Sequence, residues 1–100
     1  MNLETKENFE KAIQEGKTLV DFYADWCGPC QRVGPIIEKL SEEYKDVKFI
    51  KANVDESKEL ATKFGVMSIP CLVFIKDGKE VDRIVGAASE EVLKEKLDAL

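Results

Sequence analysis

Not one histidine occurs in the 100 residues of this chain. That absence removes Ser–His and Cys–His nucleophile pairs, zinc sites built on paired histidines, and every Cys/His zinc finger. Cysteine is scarce as well, at three residues. A four-ligand zinc site would need a carboxylate beside all three thiolates, and a secreted disulfide framework would need more half-cystines. Such cysteine usage fits a reducing compartment, and the cytoplasm is expected. No apolar run approaches the roughly 20 residues of a membrane span. The first seven residues show neither the basic nor the apolar segment of a secretory signal. There is no basic excess: 20 acidic residues outnumber 15 basic ones for a formal charge of −5. The charges are dispersed, which argues against a nucleic-acid or anionic-membrane partner. Linkers, repeats and low-complexity segments are missing too, so residues 1–100 read as a single domain, large enough to bury roughly 60–65% of its unfolded surface.

What the chain does have is the run Asp25-Trp26-Cys27-Gly28-Pro29-Cys30, placed between the apolar stretch Leu19–Ala24 and a helical pattern. Cysteines three apart in a first helical turn have Cα atoms within the roughly 4.4–6.8 Å a disulfide requires. The helix N-terminus supplies unpaired N–H groups and positive partial charge, which favour a thiolate on Cys27. A reversible intramolecular disulfide-exchange site follows, with Cys27 and Cys30 as its thiols.

Strand and helix patterns alternate. Thr5 is placed to cap a first helix carrying Phe9, Ala12 and Ile13 inward, with Gly16 past its end. Thr18–Ala24 reads as a buried strand. A second helix, from about Cys27 to Tyr44, lines up Val33, Ile36, Ile37, Leu40 and Tyr44, with Pro35 inside it as a kink site. Val47–Asn53 is a strand. Asp55 or Ser57 starts a short helix with Leu60, Ala61 and Phe64 inward and Gly65 as its stop. Cys71–Ile75 is a continuous apolar strand. Asp77-Gly78 is a hairpin signal, so the strand from about Glu80 to Val85 should run antiparallel to it. Ser89 caps a last helix with Val92, Leu93, Leu97 and Leu100 on its apolar side. The class is α/β, a mixed sheet with helices on both faces.

The segment Leu19-Val20-Asp21-Phe22-Tyr23-Ala24-Asp25-Trp26-Cys27-Gly28-Pro29-Cys30 closely resembles the active-site segment of the thioredoxin family. Pro35, Lys51, Ser68-Ile69-Pro70, Asp77-Gly78 and Val85-Gly86-Ala87 follow in that family's order and approximate spacing. The resemblance spans essentially the whole chain, with a short first strand. It implies a five-stranded mixed sheet flanked by four helices, in a monomer. The implied activity is reduction of disulfides in other proteins, without a bound cofactor or metal. The Cys27–Cys30 disulfide would then be recycled by thioredoxin reductase, a flavin enzyme supplied by NADPH. Three residues depart from the family pattern: Tyr23 where bacterial members usually carry tryptophan, Gln31 where lysine is common, and Cys71 where threonine is typical. The loss of a lysine at 31 removes one positive charge near Cys27.

By the same resemblance, Cys27 is the exposed nucleophile and Cys30 the buried resolving thiol, with Gly28 and Pro29 tuning the redox poise. Trp26 either forms part of a flat apolar surface for partners, the expected role, or packs as a core aromatic. Ile69-Pro70 should carry a cis peptide bond and leave the Ile69 backbone free to pair with an extended substrate. Met67, Val85, Gly86 and Ala87 would complete that surface. Asp21 interrupts an apolar strand, so it must be neutral, hydrated or paired, with Lys51 as its candidate partner. It either accepts a proton from Cys30 through water, the expected role, or serves a structural ion pair. Cys71 is expected to be a buried small residue, the alternative being a third redox-sensitive thiol. Two rival functions share these features. An oxidase or isomerase is disfavoured by Gly-Pro between the cysteines, since oxidising relatives usually carry histidine there. A binding module with incidental thiols would keep its partner without turnover.

Overall fold

The strand Lys17–Tyr23 (β1) is buried along its whole middle, and a strand with no wet face must lie between two layers of helix. The computed structural model, which describes residues 6–100, shows how that is achieved. The elements run α1 (Lys6–Ile13), β1, α2 (Gly28–Glu43), β2 (Val47–Asn53), α3 (Lys58–Lys63), β3 (Cys71–Lys76), β4 (Lys79–Val85) and α4 (Glu90–Ala99). The sheet order is β2-β1-β3-β4. β1 pairs with β2 in parallel through the α2 crossover, and β3 is antiparallel to both β1 and β4. Among the described residues no helix is long and apolar enough to cross a membrane.

Alternation along β1 divides the core. Val20 and Phe22 pack with Phe9 and Ile13 of α1 and Leu60 of α3. Leu19 packs with Val33, Ile37 and Leu40 of α2 and with Leu93 and Leu97 of α4. The period of two places Asp21 on the same face as Leu19, beneath α2. This is the positional fact on which the site depends.

Four strands, not five, form the sheet among the described residues. The short first strand implied by the family resemblance would precede α1, and residues 1–5, with the expected Thr5 cap, lie outside the described residues. The four helices among the described residues are as expected. α2 continues through Pro35 as one helix, although proline removes the N–H that would have bonded the Gln31 carbonyl. Val92 is exposed rather than apolar-facing. It sits one residue, about 100° of helical turn, from the Leu93–Leu97–Leu100 seam, and its backbone N–H donates to the capping Ser89 Oγ at 3.2 Å.

The β3–β4 hairpin turns on Asp77 (φ 49°) and Gly78 (φ 85°), the pair of positive φ values a two-residue type I′ turn demands. Asp77 is also tied across to the α1–β1 connection: its Oδ1 accepts the Gly16 N–H at 2.8 Å and its N–H donates to the Gly16 carbonyl at 2.9 Å. A bulge between Phe74 and Ile75 leaves Val81 unpaired on the edge strand β4, a common device for discouraging edge-to-edge pairing.

Candidate active site

At the C-terminal end of β1 the chain turns through Ala24–Trp26, with the Cys27 N–H donating to the Ala24 carbonyl at 3.2 Å. Cys27 is the N-cap of α2, in extended conformation, and its Sγ accepts the Cys30 N–H at 3.2 Å. The Gln31 N–H donates to the Cys27 carbonyl at 3.2 Å. Pro29 sits in the first turn, where a missing N–H costs nothing because no intrahelical acceptor awaits it. Cys27 and Cys30 are joined as a disulfide across this turn, their Cα atoms 5.2 Å apart.

Both cysteines are only 4% exposed, which corrects the expectation of an exposed Cys27. They pack with Ala24 against Tyr23, Val54 and Ile69. The residue that does stand open is Trp26, 72% exposed, whose indole Nε1 donates to Asp55 Oδ2 at 2.9 Å. Trp26 is therefore surface and not core. With Val54, Ala61, Val66, Met67 and Ile69 it lines an apolar groove of about 380 Å³ next to the disulfide, and Met67 is 94% exposed at its edge. The sequence offers Asp55 only as a possible helix start, a place that Ser57 takes, because nothing local links it to a tryptophan 29 residues earlier.

The Ile69–Pro70 bond is cis. The Gly86 N–H donates to the Pro70 carbonyl at 2.7 Å, which brings the Val85–Ala87 segment beside Ile69-Pro70. Gly86 has φ 101°, a conformation open to glycine and costly for other residues. A side chain there would meet no atom within 4 Å, so backbone geometry and not space demands the glycine.

On the α2 side, a cleft of about 330 Å³ is shared by Asp21, Tyr23, Cys30, Glu38 and Lys51, among others. Asp21 is 1% exposed and its Oδ1 has no hydrogen-bond partner. Burial pushes its carboxyl up to about 6, against the opposing pull of the Lys51 charge. Lys51 lies directly opposite Asp21 in the β1–β2 register. Its ammonium, however, sits 4.7 Å from the centroid of the Tyr23 ring. The pairing of Asp21 with Lys51 is thus one of strand register, and the direct cation contact belongs to Tyr23.

Cys71 is 1% exposed and belongs to the core between the sheet and α1 and α3. Burial raises its thiol above the usual cysteine range, with the Arg83 charge pulling the other way. A protonated, covered thiol reacts slowly with oxidants. Cys71→Thr should therefore keep insulin reduction within about twofold of the native rate, and mild peroxide should yield only the Cys27–Cys30 disulfide by peptide mapping. A Cys71 disulfide or glutathione adduct forming at a comparable rate would make it a regulatory thiol instead.

Among the described residues no group of three or more Cys, Asp or Glu side chains is gathered as a metal would require. A family model described as "Thioredoxin" matches residues 1–99. The thioredoxin of Staphylococcus haemolyticus is 47% identical over 95 residues, covering 94% of this chain and 91% of its own. That of Bacillus subtilis is 46% identical over 92 residues, covering 91% and 88%. Among solved structures, oxidized mitochondrial thioredoxin 3 from Saccharomyces cerevisiae superposes with a TM-score of 0.92 at 37% identity, over 100% of this chain and 94% of that one. Fasciola hepatica thioredoxin gives 0.92 at 44% identity, over 98% and 96%.

Proposed function

This chain belongs to the thioredoxin family and is a protein-disulfide reductase working by dithiol–disulfide exchange, and we propose that Cys27 is its nucleophile and Cys30 its resolving thiol. The observation that carries this reading is the disulfide across the first turn of α2, with Cys27 at the cap and Cys30 one turn inward. In the reduced protein the Cys27 thiolate attacks one sulfur of a substrate disulfide and displaces the other as a thiolate. Cys30 then gives its proton, through water, to Asp21. The Cys30 thiolate attacks Cys27 Sγ, the Cys27–Cys30 disulfide forms, and the second substrate sulfur leaves as a thiolate, which takes up the proton returned by Asp21 through water. Two electrons pass from the dithiol to the substrate, and no bound cofactor takes part.

Asp21 suits the acceptor role because it shares the cleft with Cys30 and has an unpartnered oxygen there. A carboxyl that titrates near 6 is a better base than an ordinary aspartate while remaining ionised at neutral pH. Lys51 tunes it by charge. Trp26, Gly28 and Pro29 form one side of the platform for substrate, with Ile69, Pro70 and Gly86 on the other. The Ile69 backbone offers its N–H and carbonyl to an extended substrate segment. Electrons return from NADPH through thioredoxin reductase, in the cytoplasm, to a monomer acting as one domain over residues 1–100.

Brief iodoacetamide treatment of the reduced protein, with mass-spectrometric mapping, tests the assignment. Cys27 should label at least about tenfold faster than Cys30, because a thiol at a helix N-terminus favours its reactive thiolate. Preferential labelling of Cys30 would reverse the two roles.

A further inference from the structure

Asp21 and Lys51 occupy one register position of the parallel β1–β2 pair, and Tyr23 lies two residues along β1 on the same face. Two groups therefore compete for the Lys51 ammonium: the carboxyl directly across and the ring one diagonal step away. The ring has it, with Nζ 4.7 Å from the Tyr23 centroid, inside the range of a cation–π contact. The Asp21 Oδ1 meanwhile has no hydrogen-bond partner. Attraction to the ring decides between them, and solvation adds to it. Tyr23 and Lys51 are both only partly buried, so an ammonium over the ring keeps some of its water. Contact with Asp21, which is 1% exposed, would strip that water away.

We propose that Tyr23 is a positioning residue whose ring holds the Lys51 ammonium off Asp21, leaving the buried carboxyl without a direct cation so that it stays a competent acceptor for the Cys30 proton. The last clause rests on the proton-acceptor reading of Asp21 given above. Lys51, from β2, is the one cation lining the cleft among the described residues; Cys30 and Glu38 face it from α2, and Asp25 from the β1–α2 turn. From β3 the residue opposite Asp21 is Leu72, which has no charge. Moving the ammonium is therefore the main way to change the field at Asp21. An ammonium in direct contact would favour the carboxylate and weaken it as a base. Tyr23 occupies one of the three positions at which this chain departs from its family pattern, and any aromatic ring would offer the same face.

The test is the titration of the Asp21 carboxyl carbon by NMR in the oxidised native protein, Tyr23→Phe, Tyr23→Leu, Lys51→Met and the Tyr23→Leu/Lys51→Met double variant. Urea melts of each show that it is folded at the pH of measurement. Tyr23→Leu should lower the proton affinity of Asp21 by about tenfold, the scale of an opposite charge brought into contact. Tyr23→Phe should stay within about twofold of native, since the ring remains. In the Lys51→Met background the leucine substitution should have no effect. An unchanged or raised affinity in Tyr23→Leu overturns the proposal. So does a fall that persists without Lys51, or an equal fall in Tyr23→Phe. The readout is independent of catalysis. If Asp21→Asn resolves mixed disulfides at the native rate while Tyr23→Leu shifts the titration as expected, the acceptor reading of Asp21 fails and the positioning by Tyr23 stands.

Discussion

Cys30→Ser should end multiple turnover and leave substrate proteins covalently attached to Cys27. The first attack needs only Cys27, at the N-cap of α2, so a mixed disulfide still forms. Its release needs a second thiol held in line with the Cys27 sulfur, and the native disulfide, with its Cα separation of 5.2 Å, shows how little the first helical turn must move to supply one. A well-oriented intramolecular group acts with an effective molarity on the order of 10⁵ M or more, against millimolar external thiol. Insulin reduction by the variant, coupled to a dithiol or a reductase system, should therefore fall by at least about 10³-fold. Non-reducing gels and mass spectrometry should show adducts that disappear on adding excess reductant. Retained turnover would remove Cys30 from the mechanism, and a partner held without any covalent bond would favour a binding module.

Asp21→Asn should separate activity from stability in opposite directions. The folded carboxyl titrates near about 6, whereas an unfolded aspartate titrates near about 3.9. The folded state therefore holds this proton more tightly than the unfolded state. The protonated group's contribution is fully present below about pH 4 and is lost as pH rises through about 6, a loss of about 3 kcal/mol. Asparagine stays neutral throughout, so the variant should match the native protein near pH 4 and exceed it by about 2–3 kcal/mol at pH 7. Urea melts at several pH values measure this widening gap. Single-turnover experiments should show the resolution step slowed by about 10²-fold, the usual contribution of a positioned base, with formation of the mixed disulfide little changed. A variant that is less stable yet fully active would instead make Asp21 a structural carboxylate.

The chemistry of Cys27, Cys30 and Asp21 is legible in the sequence alone. Cys27 and Cys30 are three apart at a helix start, and a helical turn alone dictates that their side chains meet. The same local geometry made Leu93, Leu97 and Leu100 a seam, and Asp77-Gly78 a two-residue turn. Val92 marks the resolution of such pattern reading: it neighbours the seam in sequence, and one residue of helical rotation turns it to solvent. The family likeness extended the reach, placing Lys51 beside Asp21 and a cis bond at Ile69–Pro70, as the structure has them.

The order of the elements, the redox pair and the odd carboxylate in an apolar strand were thus determined by sequence alone, because each depends on neighbours within a turn of helix or on the two-residue period of a strand. What only the tertiary structure decided involves groups far apart along the chain. Trp26 is tethered by Asp55, Gly86 is bound to Pro70, and Val54 and Ile69 pack against the cluster that holds the two cysteines. These contacts exist because strand order and register bring the loops at one end of the sheet together. The position of the Lys51 ammonium is subtler still. Register places it opposite an anion, yet attraction to the half-buried ring of Tyr23, with the cost of desolvating a charge beside a buried carboxyl added to it, turns it to that ring. That balance depends on how much water each site retains, which is a property of the folded surface and is not encoded in the spacing of any two residues.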